Sequence, residues 1–526
     1  VRFYIFLLLP ILLYSKPFKV ASYNVQNLFD TVYQGTEYKD YIPGKHNWNE
    51  RMVEIKLNHT AEVICDIDAD VLGLQEVENT SILQQLVKRL DKVGCPYKYF
   101  AITHKKETAI QVGLLSRYPI AQKDDIQVSS DAGVRNILEV EVDFKGYPVT
   151  FFVNHWKSKA YKGYESKRIK YAKALQSRIA KMPDSKEYII LGDFNSDYNA
   201  YLTLEKKLND TYGRTAFNDV LKTKIGDALV EEDEMLDAAK GVHYSLWKEL
   251  PLDQRWSHSF YGGKSSLDHI VLPKQMFDGK GVDYINNSFK VFKASYLFTK
   301  KGYINKWQYK NGKHKGKGYS DHLPIYASFD TKPYIAERKK QRTKKIEKKR
   351  IEDLYHVESL ESKIVLDNVV VVLKRGRNAI VKQHINGRGI YLYGCAASLE
   401  EGRKYDLLVE GIKTYHGLKE ITHAYVLKDK GMAKHEIYAL TTHTLTSETM
   451  RQNEVIKKII GRYKDKHIEI NGKNIPIYFK KKNLTPPNGS LLKIHYAHLG
   501  YYKALQVVIY SKKDFEIYES SEGLKE

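Results

Sequence analysis

A mixed α/β domain with sheet cores and helical covers, followed by a strand-rich region of two repeated units, is what this 526-residue sequence predicts. Three observations carry that expectation. From Phe18 to about Asp330, short apolar runs alternate with turns and amphipathic stretches, the pattern of sheets covered by helices. Between Arg338 and Arg350 nine of thirteen residues are basic and only Glu347 is acidic, which marks a break between domains. Beyond about residue 359 the chain turns to short strands and repeats itself.

The elements follow in order. Arg2 precedes a twelve-residue apolar run, Phe3 to Tyr14. A membrane helix needs about 20 apolar residues, so residues 1–16 read as an export signal instead of an anchor, and the protein as secreted or periplasmic. The alternative is a first buried strand. Residues 18–23 read as a strand, 51–67 as an amphipathic helix, 71–75 as a buried strand and 81–93 as a second helix. Further strands are expected at 111–116, 137–144, 149–154, 188–192, 267–272 and 323–329. The stretch 198–256 has little periodicity and reads as a long surface excursion. Residues 17–330 thus form one domain and 331–358 a basic linker, followed by modules at 359–432 and 433–526.

The two modules come from the repeat. Gly376-Arg377 and Asn386-Gly387 match Gly461-Arg462 and Asn471-Gly472 at an offset of 85. Tyr391, Gly402, Leu407, Tyr415 and Ile421 match Tyr478, Gly489, Ile494, Tyr502 and Val508 at 87. About five short strands with glycine turns suffice for a small closed barrel in each.

Composition narrows the function. With 42% hydrophobic and 28% charged residues, the chain is neither collagenous nor wholly disordered. Lys and Arg number 85 against 63 acidic residues, a net +22, which favours a polyanionic partner. The last 196 residues hold 38 basic and 23 acidic side chains, so most of the excess lies there. Three cysteines, an odd and sparse set, imply no disulfide framework.

Six motifs share one physical form, an apolar strand running into polar or acidic residues where the backbone leaves the sheet. They are Asn24-Val25-Gln26-Asn27, Leu74-Gln75-Glu76, Asn154-His155-Trp156-Lys157-Ser158-Lys159, Gly192-Asp193-Phe194-Asn195, Leu267-Asp268-His269 and Ser320-Asp321-His322-Leu323-Pro324. Taken singly, such an Asp or Asn is more often a turn residue than a catalyst. Six in one domain point to a shared cleft built on rigid strand ends.

Their order and wording resemble the endonuclease/exonuclease/phosphatase superfamily, the deoxyribonuclease I-like fold, from about Phe18 to Asp330. The Asn-His-Trp-Lys-Ser-Lys version resembles the extracellular bacterial nuclease branch. The resemblance implies a two-layered β-sandwich flanked by helices, with the site at the strand ends. It implies Glu76 as principal ligand of a divalent metal, with Asn24 nearby and Asp321 in support. Oxygen ligands suit Mg²⁺ or Mn²⁺, and Ca²⁺ as a substitute. Asp193 would orient or deprotonate the attacking water, and Asn195 would hold that water or a phosphate oxygen. His322, oriented by Asp268, would face the scissile phosphate, and His155 would stabilise or protonate the leaving oxygen. An acidic residue usually orients a histidine at the position of His155; here Glu107 or Gln111 is the candidate. Lys157 and Lys159 are candidate phosphate contacts.

Beyond the linker, Gly389-Ile390-Tyr391-Leu392-Tyr393, Glu401-Gly402, Val409-Glu410-Gly411 and Tyr415-His416-Gly417 resemble bacterial OB-fold modules. Such grooves bind single strands by stacking bases on aromatics, a role for Tyr391, Tyr415, Tyr393, Tyr478 and Tyr502. The expected function is an exported metal-dependent nuclease acting on DNA, with RNA as the further candidate substrate. A secreted sphingomyelinase-like or phospholipase C-like phosphodiesterase and a non-catalytic nucleic-acid-binding protein are the alternatives.

Overall fold

The apolar run at 18–23 extends into strand β1 (Phe18–Leu28), whose alternate side chains enter two different cores. Val20 packs between the sheets, whereas Ala21 and Tyr23 face helices. The computed structural model describes residues 17–518 except 132, 160–162, 227, 261–262, 332–345 and 361. The expected export signal at residues 1–16 and most of the basic block lie outside the described residues. The chain divides into two compact units, Val1–Lys340 and Gln341–Glu526.

The first unit holds two mixed sheets. One runs Asp283–Tyr284, Ile325–Asp330, β1, β2 (Val71–Val77), β4 (Gln111–Ser116), β3 (Tyr99–Ile102), with Lys290–Val291 beside Ile325–Asp330. The other runs Tyr244–Ser245, Asp268–Leu272, β8 (Tyr188–Asp193), β7 (Pro148–His155), β6 (Ile137–Asp143), β5 (Ile120–Ile126). They pack face to face as the expected sandwich. Gly73 in β2 is needed for that packing, because an added Cβ would lie 2.1 Å from Leu191 Cδ1 and 3.2 Å from Val153 Cγ1 of the other sheet.

Helix α1 (Glu50–Ile67) starts at Asn49, whose side chain accepts from Met52 N–H at 3.2 Å. Its Leu57, Ala61 and Ile64 pack with Ile82, Leu83 and Leu86 of α2 (Thr80–Lys92) over Leu72 and Leu74. Helix α3 (Glu165–Ala180) adds Ile169, Ala172 and Leu175 to the core of the second sheet.

Two expectations fail here. The 198–256 stretch is not a surface excursion, since Phe217, Leu221, Met235 and Trp247 are fully buried in the sandwich core. It is built from short helical turns, such as Ala216–Val220 and Leu246–Glu249, which carry no α or β period to read. Cys65 and Cys95 also form a disulfide, with Cα atoms 5.8 Å apart, tying the end of α1 to the segment after α2.

The second unit contains two closed five-stranded barrels. The first has the spatial order Ile364–Arg375, Asn378–Lys382, Gly389–Leu392, Leu418–Met432, Arg403–Tyr415, closed by pairing of its first and last members. The second repeats it with Glu454–Lys464, His467–Ile470, Lys473–Phe479, Ala504–Ile509, Leu491–Tyr502. In both, the third and fifth strands in chain order pair in parallel. One repeat match is misplaced. Gly376-Arg377 forms the turn between the first two strands, whereas Gly461-Arg462 lies inside a strand and the equivalent turn is Asp465-Lys466. Gly461 serves close packing instead, since a Cβ there would sit 2.7 Å from Ile468 Cγ1.

Candidate active site

The six strand-end motifs contribute to one cleft at the same end of both sheets. Parallel pairing of β1 with β2 sets Asn24 opposite Gln75, and a register shift follows immediately. There Gln26, Asn27 and Glu76 adopt positive φ (53°, 61° and 67°), turning the backbone out of the sheet at the carboxylate. In the second sheet His155 pairs with Asp193, and Asp193 with Asp268, so three site residues lie in register across adjacent strands.

The side chains are interlocked. Asn24 Nδ2 donates to Glu76 Oε1 and to Asp193 Oδ2, both at 3.1 Å, while its Oδ1 accepts from Gln26 N–H at 3.0 Å. Asn27 N–H donates to Glu76 Oε2 at 2.9 Å. Asn195, at φ 49°, donates its backbone N–H to Asp193 Oδ1 (2.8 Å) and its amide to Trp156 O (3.1 Å). His322 Nδ1 lies 2.8 Å from Asp268 Oδ2, which also accepts from Ser257 Oγ at 2.5 Å. Ser320 Oγ donates to Asn24 O and accepts from His322 N–H, joining the two strand ends. Trp247 Nε1 donates to Asp268 O at 2.8 Å, so the misread excursion props the site from behind.

The two histidines are electrostatically opposite. Burial pulls the His322 imidazole down, but the carboxylates of Asp268 and Asp193 outweigh it and hold it well above the usual range. His155 is pushed well below its ordinary value by burial, then by Arg135 and His322. Its Nε2 is 3.6 Å from Asp193 Oδ2 and 3.9 Å from Glu76 Oε1. Its buried Nδ1 has no hydrogen-bond partner among the described residues. Neither candidate orienter reaches it: Glu107 is exposed, and Gln111 bonds Thr103, Lys105 and Thr108 of its own loop. Burial raises Asp193 to about 7 against the pull of His322, and burial with the Asp321 charge raises Glu76.

These groups fit a divalent cation. Glu76 and Asp193 share one amide, Asp268 Oδ1 is buried and unpartnered among the described residues, and hard oxygen donors dominate. Ligand atoms of Asp193, Asp268 and His322 all lie within 4.8 Å of one another. The lysines divide: Lys159 is held by Asp197 at 2.7 Å, whereas Lys157 lies against Tyr164, its ammonium lowered by burial and then by Arg135. In the second unit Tyr415 is half exposed, but Tyr391 is buried and stacked on His498, so it offers no free ring. The stacking role that the OB-fold resemblance implied for Tyr391 is therefore not available to it, because His498 of the other barrel covers the ring.

Three site groups were missed. Arg135, just before β6, lies 3.5 Å from His155 O, and its charge acts on both Glu76 and His155. Lys56 is buried on α1, donates to Tyr319 O at 3.1 Å and is brought down to about 7 by burial. The His258 ring sits 4.7 Å from that of His322. A lysine on an apolar helix face is readable as an anomaly; Arg135, in the loop before its strand, and His258 carry no such signal.

A sandwich whose strand ends gather an Asp-held imidazolium, amide donors and buried carboxylates defines a phosphoester hydrolase class. The family model for the endonuclease/exonuclease/phosphatase family matches residues 19–331, and the chain belongs to that family. It is a phosphodiesterase of that superfamily with a buried Asp/Asp/His cluster. Among solved structures it is similar to TDP2 of D. rerio, humanized by 14 mutations (16% identity, 60% of this chain, 99% of the other, TM-score 0.38). It is similar to a family protein from Bacteroides thetaiotaomicron (14%, 61% and 100%, TM-score 0.37) and one from Leptotrichia buccalis (16%, 59% and 98%, TM-score 0.36). No curated protein matches the chain.

Proposed function

We propose that this chain is an exported, metal-dependent nuclease that hydrolyses phosphodiester bonds of DNA, and of RNA as well, with its barrels binding nucleic acid. The observation that carries the reading is the Asn24 amide joining Glu76 to Asp193, with the Asp268-held His322 imidazole 3.9 Å from Asp193. Glu76, with Asn24 and Asp321, would hold Mg²⁺ or Mn²⁺. The bound cation supplies charge neutralisation at the phosphate oxygens. Asp193, poised near neutrality, takes the proton of the attacking water, and Asn195 holds that water or a phosphate oxygen. Charged His322 faces the phosphate through Nε2 as an electrostatic clamp and proton donor. His155, kept neutral, hydrogen-bonds at the leaving-oxygen side. The Cys65–Cys95 disulfide supports export, since such bonds persist in oxidising compartments.

Purified full-length chain is to be assayed on plasmid, single-stranded DNA, RNA and sphingomyelin, with Mg²⁺ and with EDTA. The expected result is nucleic-acid cleavage that EDTA stops and that Glu76→Gln or His322→Ala lowers by at least a hundredfold while the fold is retained. Cleavage of the lipid alone, or full activity in either variant, sinks the assignment.

A further inference from the structure

Between the two barrels the net charge falls on one. Residues 351–450 hold 13 basic and 13 acidic side chains, whereas residues 451–518 hold 14 basic and 5 acidic. A neutral barrel and a strongly cationic one are therefore joined, and buried polar contacts cross the join. Lys382 and Glu454, both almost fully buried, pair across it at 2.7 Å. Arg375 meets Asp514 at 2.8 Å, and Asn453 Nδ2 donates to Lys419 O at 2.8 Å. At one edge of the seam the equivalent hairpin tips of the two barrels touch, with Lys503 N–H donating to His416 O at 3.3 Å. Gly417 permits this contact, because a Cβ there would lie 2.4 Å from Tyr501 Cε1.

Aromatic rings and ammonium groups alternate along this join. On the cationic barrel Lys480 Nζ lies 5.6 Å from the Tyr478 ring and 5.7 Å from that of Tyr510. Tyr510 bonds the Tyr391 hydroxyl of the neutral barrel, and Tyr391 lies 6.3 Å from Tyr393. Lys413 Nζ sits between Tyr393 (4.9 Å) and Tyr415 (5.2 Å). The His416 ring continues the row at 4.4 Å from Tyr415 and 4.8 Å from Tyr502 of the cationic barrel. Tyr393, Tyr415, Tyr478 and Tyr502 are each about half exposed, with relative exposures of 50%, 51%, 48% and 51%. Three of these solvent-facing tyrosines, Tyr393, Tyr415 and Tyr478, have a lysine ammonium beside the ring, and Tyr502 has the His416 imidazole. The row thus offers π-faces and positive charge together, which is what an unpaired polynucleotide strand requires.

We propose that the two barrels form one continuous binding surface for single-stranded nucleic acid, crossing their seam, with Tyr393, Tyr415, Tyr478 and Tyr502 stacking bases and Lys413 and Lys480 neutralising phosphates. This deepens the nuclease reading above and rests on it for the choice of polyanion. Double-stranded ends fit less well, because paired bases hide the faces these rings would stack on. A polysaccharide would use the rings without the charge, and an anionic membrane the charge without the alternation.

The test measures fluorescence anisotropy of a labelled oligothymidylate of about 20 nucleotides with the full chain in EDTA. A duplex of the same length and phosphatidylserine-containing vesicles are measured beside it. Replacing both Tyr415 and Tyr502 with Ala is expected to weaken oligothymidylate binding at least tenfold with an unchanged salt slope. Replacing both Lys413 and Lys480 with Ala is expected to lower the slope of log Kd against log salt by roughly one unit. Unchanged affinity in the tyrosine pair, or vesicle binding without oligothymidylate binding, overturns the proposal. A chain that binds through these tyrosines but cuts no nucleic acid supports the surface and overturns the nuclease reading. A chain that cuts while the tyrosine pair binds like the parent overturns the surface alone.

Discussion

Asp268 makes a compact case for how one residue sets the chemistry of another. Its carboxylate holds His322 by Nδ1 and, together with that of Asp193, outweighs the burial that would otherwise discharge the ring. Asp268→Asn keeps the shape and removes the charge, so the imidazole falls back toward the neutral form its burial favours. The expected outcome is a loss of about two to four orders of magnitude in kcat with little change in KM. Steady-state kinetics on a short oligonucleotide checks it, and an unaltered kcat would remove Asp268 from the site. Asp268 and His322 were legible because each stands at the start of an apolar run. Arg135 was not singled out, because it stands before its strand in a loop where basic residues are common. The idle Nδ1 of His155 was beyond reach as well, since it depends on which side chains of another strand turn inward.

At the scale of elements, the sandwich depends on the close approach of β2 and β8. Gly73→Ala places a methyl group where Leu191 Cδ1 now lies. It is expected to cost about 1–3 kcal/mol in urea unfolding. Adding Leu191→Val should recover part of that loss, and a neutral Gly73→Ala would show that the sheets can part freely. Strands such as 111–116 and 188–192 were legible because their centres are continuously apolar and they are buried on both faces. The 198–256 stretch was not, because its core residues hang on irregular turns and obey no period. The barrels were found from spacing, yet one glycine pair misled, since glycine marks a turn at 376 and a tight contact at 461.

Across the whole molecule, buried neutral histidines link stability to acidity in both units. His243 is brought down to about 4 by burial, lying between Tyr188 and Leu221 O, and His498 of the second unit to about 3. Each stays neutral in the fold while its unfolded counterpart takes up a proton below about 6.5. Their contribution therefore weakens stability as pH falls from about 6.5 toward about 4, by up to about 3 kcal/mol for His243. Buried carboxylates such as Glu249, raised to about 7 chiefly by burial, act in the opposite direction, so the comparison is made between variants. His243→Gln should lose less stability than the parent between pH 7.5 and 4.5 in urea titrations; parallel losses would discount the role of this ring. The net charge of +22 is also divided along the chain: a mildly basic catalytic domain with buried acids, a basic linker, a neutral barrel and a cationic barrel.

The Cys65–Cys95 bond encloses a covalent ring with a sequence separation of 30, and β2 with its Glu76 runs through that ring. No sulfur touches the cleft, yet the ring limits how far the acidic strand can stray once the chain unfolds. Loop-closure entropy for a ring of this size is worth about 3–4 kcal/mol. Thiol reductants would withdraw that sum, so the same polypeptide is a weaker fold in a reducing cytoplasm than beyond the membrane. On the proposed reading of an exported nuclease, full durability would come only after the chain has left the cell whose genome it would otherwise cut.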